Sequence, residues 1–161
     1  MSFEKNVQDF MHPVGGYGHI TSDRPVRQAL VEIQRRLDRN QRPCLIVIEE
    51  NEAGEEVIVG TVTQRELVFG IAGHFLRGAE RIGAIFWEGQ LATESRQSIQ
   101  QSIREIMSPI QVCIRADEML MEAIFLLNQY RLDMLPVLQG DEVLGFIHLE
   151  DIISEVSRIA S

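Results

Sequence analysis

Two seven-residue stretches hold the side chains best placed to do chemistry. Gly60-Thr61-Val62-Thr63-Gln64-Arg65-Glu66 and Gly145-Phe146-Ile147-His148-Leu149-Glu150-Asp151 can be laid over each other without a gap. Each reads as a short strand led by glycine that feeds a helix, and Glu66 and Asp151 fall at the same place, one turn into that helix. The unpaired N–H groups at a helix start favour anions, so these strand ends are where a ligand site would form. A structural use competes for the first set: Thr63-Gln64-Arg65-Glu66 is a capping box, with Thr at the cap and Glu bonding back. In the second set His148 is a poor cap, although Asp151 still gains from the helix dipole.

Other chemistry finds little support. The histidines are His12, His19, His74 and His148, and none pairs with another His or a Cys at metal-ligand spacing, which predicts no dedicated metal site. No Ser or Cys stands beside a base in a nucleophile motif. Cys44 and Cys113 lie inside apolar runs and read as buried small hydrophobes. The expectation is a chain with no catalytic residues, not an enzyme.

The elements that must position the two strand ends occur twice. Met11-His12-Pro13 has its counterpart in Met107-Ser108-Pro109. In the first half, Ser22 or Asp23 is placed to cap a helix whose early Pro25 suits its first turn. Val26, Ala29, Leu30, Ile33 and Leu37 recur there at helical spacing. Cys44–Ile48 and Val57–Val62 read as strands around an acidic turn containing Gly54. In the second half a short strand at Val112–Ile114 precedes a helix capped by Asp117, with Leu120, Ala123, Ile124 and Leu127 as its stripe. Met134–Leu138 and Val143–Ile147 form a hairpin, and Ile152, Ile153, Val156 and Ile159 line a final helix.

The order strand, helix, strand, strand, helix therefore appears in both halves, and each unit leaves an apolar face for its twin to cover. The fold class is α+β (α/β), two pseudo-symmetric β-α-β-β-α repeats. Residues 1–75 form the first repeat, 76–101 a helical linker or insert, and 102–161 the second repeat. Gly70, Gly73, Gly78, Gly83 and Gly89 argue against one unbroken helix across the junction. Ile82, Ile85, Phe86 and Trp87 form an apolar patch there, with Trp87 read as sealing the repeats together rather than anchoring a partner. Thr93 is placed to cap a polar helix bearing Ile99, Ile103 and Ile106.

Bulk composition narrows the partners. With 161 residues, 45% hydrophobic and 24% charged, the chain is globular in type and long enough for two small units. A net charge of −9 argues against a nucleic-acid surface, which needs clustered Lys and Arg. It leaves room for one small anion, which responds to local groups. No stretch has the character of a secretory signal or a membrane span, so the expected setting is cytoplasmic.

The repeated Met-X-Pro, the helices following Asp23 and Asp117, the Leu135-Pro136-Val137 strand and the two glycine-led strands together resemble a tandem pair of CBS domains, a Bateman module. The resemblance covers nearly the whole chain, the stretch 70–101 least. It implies a regulatory, energy-sensing module that binds an adenine nucleotide (AMP, ADP or ATP) in the clefts between repeats, as a homodimer signalling to an effector protein. The family's signature is Gly, two residues, Thr or Ser, two residues, Asp. Carried over, Thr63, Arg65 and Glu66 in one repeat and His148 and Asp151 in the other would meet phosphate and ribose. His19 and Ile20, with Leu45 and Ile46 nearby, or Val112, Leu135 and Pro136, would form the adenine slot. Glu66 replaces the signature Asp and His148 the hydroxyl. Gly15-Gly16-Tyr17-Gly18 lies at an edge of that slot and reads either as a close approach of backbone to ligand or as a surface loop. The alternative function is a structural dimerisation or interaction protein that binds no nucleotide.

Overall fold

The computed structural model describes residues 5–78 and 89–161, and of 74–78 the backbone alone. The patch at Ile82, Ile85, Phe86 and Trp87 lies outside the described residues, as does Gly83. In chain order the elements are β1 (His12–Pro13), β2 (Gly18–Thr21), α1 (Val26–Asp38), β3 (Cys44–Glu50), β4 (Glu56–Thr63), α2 (Gln64–Gly78), α3 (Gln90–Ser98), β5 (Ser108–Pro109), β6 (Ile114–Arg115), α4 (Leu120–Tyr130), β7 (Met134–Gln139), β8 (Glu142–His148) and α5 (Leu149–Ala160). The α+β class and the twice-repeated β-α-β-β-α order are both present, as β2-α1-β3-β4-α2 and β6-α4-β7-β8-α5.

The chain forms two compact units that trade their leading segments: Tyr17–Pro109 is one, and Met1–Gly16 with Ile110–Ser161 is the other. The linear division at 75 and 102 thus differs from the compact units at both Met-X-Pro segments. Met107-Ser108-Pro109 supplies β5 to the sheet of residues 17–109, and Met11-His12-Pro13 supplies β1 to the sheet of residues 110–161.

Within Tyr17–Pro109 the sheet order is β2-β3-β4-β5, with β2 parallel to β3 and the other pairs antiparallel. The apolar run Leu45-Ile46-Val47-Ile48, β-branched from Ile46 on, suits a strand covered on both faces, and Leu45, Ile46 and Val47 are fully buried. With Leu45 and Val47 of that strand, α1 turns Val26, Ala29 and Ile33, at helical spacing, into a core with Ile20, Val62, Leu67 and Ile103. Leu30 and Leu37, read as part of that stripe, lie on its exposed margin. The acidic turn between β3 and β4 is organised by Asn51, whose Oδ1 accepts the N–H groups of Ala53 and Glu55 at 3.0 and 2.8 Å.

In the other unit the order is β1-β8-β7-β6, with β6 parallel to β7. Its core joins Val7 to Ile114, Ala123, Leu127, Leu135, Val137, Ile147 and Ile152. The ladders match in detail. Val47 pairs with Gly60 and Val137 with Gly145, and the register of each hairpin shifts at the next residue, Ile48 or Leu138.

Three expected caps are corrected. Neither Ser22 nor Asp23 caps α1, whose N-cap is Pro25, and Asp117 does not cap α4, whose N-cap is Met119. Those starts are held instead by bridges to residues remote in sequence, Pro25 to Ser102 and Met119 to Asn6. Thr93 lies inside α3 and donates its hydroxyl to the carbonyl of Gly89 at 3.0 Å. That helix ends at Ser98, and Ile103 belongs to a separate 3-10 turn.

Candidate functional site

Each glycine-led strand ends where a helix begins, and the Met-X-Pro strand of the same unit runs across its glycine. In β1 and β8, Pro13 lies opposite Gly145 and His12 opposite Phe146. In β5 and β4, Pro109 lies opposite Gly60 and Ser108 opposite Thr61. A Cβ on Gly60 would stand 2.7 Å from the carbonyl oxygen of Ser108, and one on Gly145 would fall on the carbonyl of His12. Glycine is needed in the repeated motif because another backbone passes through the space of a side chain.

At the start of α2, Glu66 folds back on Thr63. Its Oε1 accepts the backbone N–H and the hydroxyl of Thr63, each at 3.0 Å, while Thr63 Oγ1 accepts the N–H of Arg65 at 3.3 Å. The capping use of this set is therefore realised. The Arg65 guanidinium lies over the Phe69 ring, 5.0 Å from its centroid, on the exposed side of the helix.

At the start of α5 the same fold-back occurs: the His148 N–H donates to Asp151 Oδ2 at 2.8 Å. The second carboxylate oxygen, Oδ1, lies 2.7 Å from His12 Nε2. The rings of His12 and His148 meet edge to face with centroids 5.7 Å apart. His148 is buried, and Asp151 is 13% exposed in its side chain against 41% for His12. His12, which the sequence offers as the middle of a Met-X-Pro and not as a ligand residue, is thus a member of this junction. Nothing local announces it, because its partner is 139 positions away.

The remaining predicted residues are placed by the two sheets. Leu45, Ile46, Leu135 and Pro136 are buried in β3 and β7, and Val112 is half-buried. His19 and Ile20 of β2 line a shallow open depression of about 240 Å³ with Gln28, Val31, Glu32 and Arg35 of α1. Gly18, in the glycine loop, is a close approach of another kind, since a Cβ there would stand 2.7 Å from Leu45 Cδ2.

Two further groups bear on the chemistry. Burial pushes the Cys44 thiol up to about 12 and raises that of half-buried Cys113, which leaves neither a ready nucleophile. Buried Ser22 donates to Glu49 Oε1 at 2.6 Å, and Arg104 binds both, reaching Glu49 Oε1 at 2.9 Å and Ser22 Oγ at 3.0 Å. These bonds, Ser22's first, hold the Glu49 carboxyl below the usual carboxylate range. Among the described residues no group of three His, Cys, Asp or Glu is arranged to hold a metal, and no helix is long and apolar enough to cross a membrane.

The CBS domain family model matches residues 103–158. No curated protein matches the chain in sequence. Solved structures share the fold over nearly its whole length. The CBS-pair protein CBSX2 from Arabidopsis thaliana is 20% identical with a TM-score of 0.65, covering 98% of this chain and 97% of its own. CBSX2 in complex with AMP is 19% identical with a TM-score of 0.65, covering 98% of this chain and 99% of that one. The cytosolic domain of the Mg2+ channel MgtE in complex with ATP is 18% identical at a TM-score of 0.59; the match covers 94% of this chain but 48% of that one. At such identities the likeness establishes the fold.

Proposed function

We propose that this chain, a tandem CBS pair in fold, is a cytoplasmic regulatory module that binds an adenine nucleotide at its strand-to-helix junctions and passes the signal to a separate effector protein. One observation carries the reading. The chain builds the same junction twice, with a carboxylate one turn into the helix and Thr63 or His148 at the cap, in sheets whose ladders match residue for residue. A phosphate suits the helix start, and a carboxylate accepts from ribose hydroxyls. The AMP and ATP complexes of CBSX2 and MgtE favour an adenine nucleotide as the ligand class. In this reading Thr63, Arg65 and Glu66 serve one junction and His148 and Asp151 the other, with His19 and Ile20, or Val112, Leu135 and Pro136, beside the base.

Signalling through a homodimer is supported by α5, where Ile153, Val156 and Ile159 are 67%, 53% and 68% exposed. The internal fold-back of Glu66 and Asp151 favours the second reading, an interaction protein without nucleotide. A thermal-shift panel with AMP, ADP, ATP, NAD and S-adenosylmethionine separates the two, since a ligand of the folded state alone raises the midpoint. Stabilisation by an adenine nucleotide at micromolar concentration supports the sensor. A flat panel, with self-association intact, supports the interaction protein.

A further inference from the structure

We infer that His12 is an internal competitor for Asp151, a side chain that a ligand must displace, and that it makes the two junctions unequal in affinity. The inference rests on the nucleotide reading above. Both oxygens of Asp151 are committed, Oδ2 to the His148 N–H at 2.8 Å and Oδ1 to His12 Nε2 at 2.7 Å. The position of His12 is imposed by the backbone, because β1 is pinned where it crosses Gly145. Its side chain is nevertheless 41% exposed, so the imidazole can swing out without opening the core. Asp151, only 13% exposed, becomes available when it does.

The other junction has a different residue at the matching position. Ser108 stands in β5 where His12 stands in β1, each preceding the proline that faces the strand glycine. A serine hydroxyl stops well short of the reach of an imidazole Nε2. Glu66 Oε1 carries the bonds from Thr63, three residues away in the same turn. A ligand hydroxyl therefore competes with a neighbouring turn at Glu66, and with the His12 imidazole as well at Asp151. The junction at Thr63 fills first, and His12 sets the threshold for the one at His148.

The test is calorimetric titration of the full chain with AMP, for wild type, His12→Ser, His12→Gln and the double variant His12→Ser/Asp151→Asn. Met-Ser-Pro is native at 107–109, so the serine suits this strand, and glutamine keeps a donor should serine loosen it. We expect His12→Ser to tighten the weaker site about ten-fold, His12→Gln to fall between, and the gain to vanish with Asp151→Asn. Unchanged or weakened binding in His12→Ser, while wild type binds AMP, overturns the inference and leaves the nucleotide reading standing. Binding by His12→Ser alone is the competitor at full strength. Silence in wild type and both single variants toward AMP, and toward ADP and ATP titrated in the same way, removes the nucleotide reading and this inference together.

Discussion

His12 and Gly145 occupy one crossing: the carbonyl of His12 passes through the space where a β-carbon of residue 145 would stand. Gly60 meets Ser108 in the same way, where a β-carbon would stand 2.7 Å from the carbonyl oxygen. Overpacking against a backbone leaves little to relax, since the obstacle is not the end of a flexible side chain. Gly145→Ala is expected to destabilise by about 1–3 kcal/mol or more, and Gly60→Ala by less. Urea midpoints rank them. Equal midpoints for Gly145→Ala and wild type would mean β1 does not hold this crossing in solution.

Glu66 and Asp151 separate capping from ligand binding. Truncating either removes the bond that the N–H of the capping residue, Thr63 or His148, makes to it, and should cost about 1 kcal/mol of stability. Affinity should divide them, because Asp151 is already engaged by His12 while Glu66 holds only the turn of Thr63. Glu66→Ala is expected to lose about ten- to a hundred-fold at the tighter site, the worth of a charge-assisted bond, and Asp151→Ala less in wild type but as much in a His12→Ser background. Calorimetry beside thermal melts reads both quantities, and equal affinity losses would end the ranking.

Glu49 gives a pH dependence with a definite sign. Ser22 and then Arg104 hold its carboxyl below the ordinary range in the folded chain. A depressed folded pKa contributes stability that is full above the unfolded value, near ~4.3 for Glu, and is lost as pH falls through the folded value. Asp23, lowered first by the Thr21 hydroxyl, and Glu155, lowered first by Arg158, act in the same window. Comparison with Glu49→Gln isolates one group. Wild type should be the more stable at pH 6, and the gap should close by about pH 3. A gap that is constant from pH 6 to 3 would show that the network works through packing instead.

The repeat was legible because its signals are local. Glycine-led strands, helical periodicity and turn residues placed nearly every element within a few positions. The misplaced caps of α1 and α4 share one cause. Ser22 and Asp117 have the right residue types, yet Ser22 is drawn to Glu49 and Arg104, and the helix starts are fixed by Ser102 and Asn6 from distant chain. The exchange of leading segments is invisible for the same reason, since Met11-His12-Pro13 reads identically whichever sheet it joins. Glu66 and its capping box could be read from four consecutive residues. His12 at Asp151 could not.

Helix α5 carries the last expectation. Ile152 packs into the core of its unit while Ile153, Val156 and Ile159, at spacings of three, form an exposed apolar line. Sequence periodicity placed all four on one face, but the core takes Ile152 and leaves the other three outside. Large apolar side chains scattered singly are ordinary on a surface, whereas a contiguous line marks an interface. Two copies meeting along α5 in a closed pair would bury the same residues from both chains. Light scattering should therefore give twice the chain mass for wild type at tens of micromolar. Ile153→Glu combined with Ile159→Glu should return it to the monomer mass with the circular dichroism spectrum preserved. A wild-type monomer across that range, or a dimer indifferent to both glutamates, would place the association elsewhere than α5.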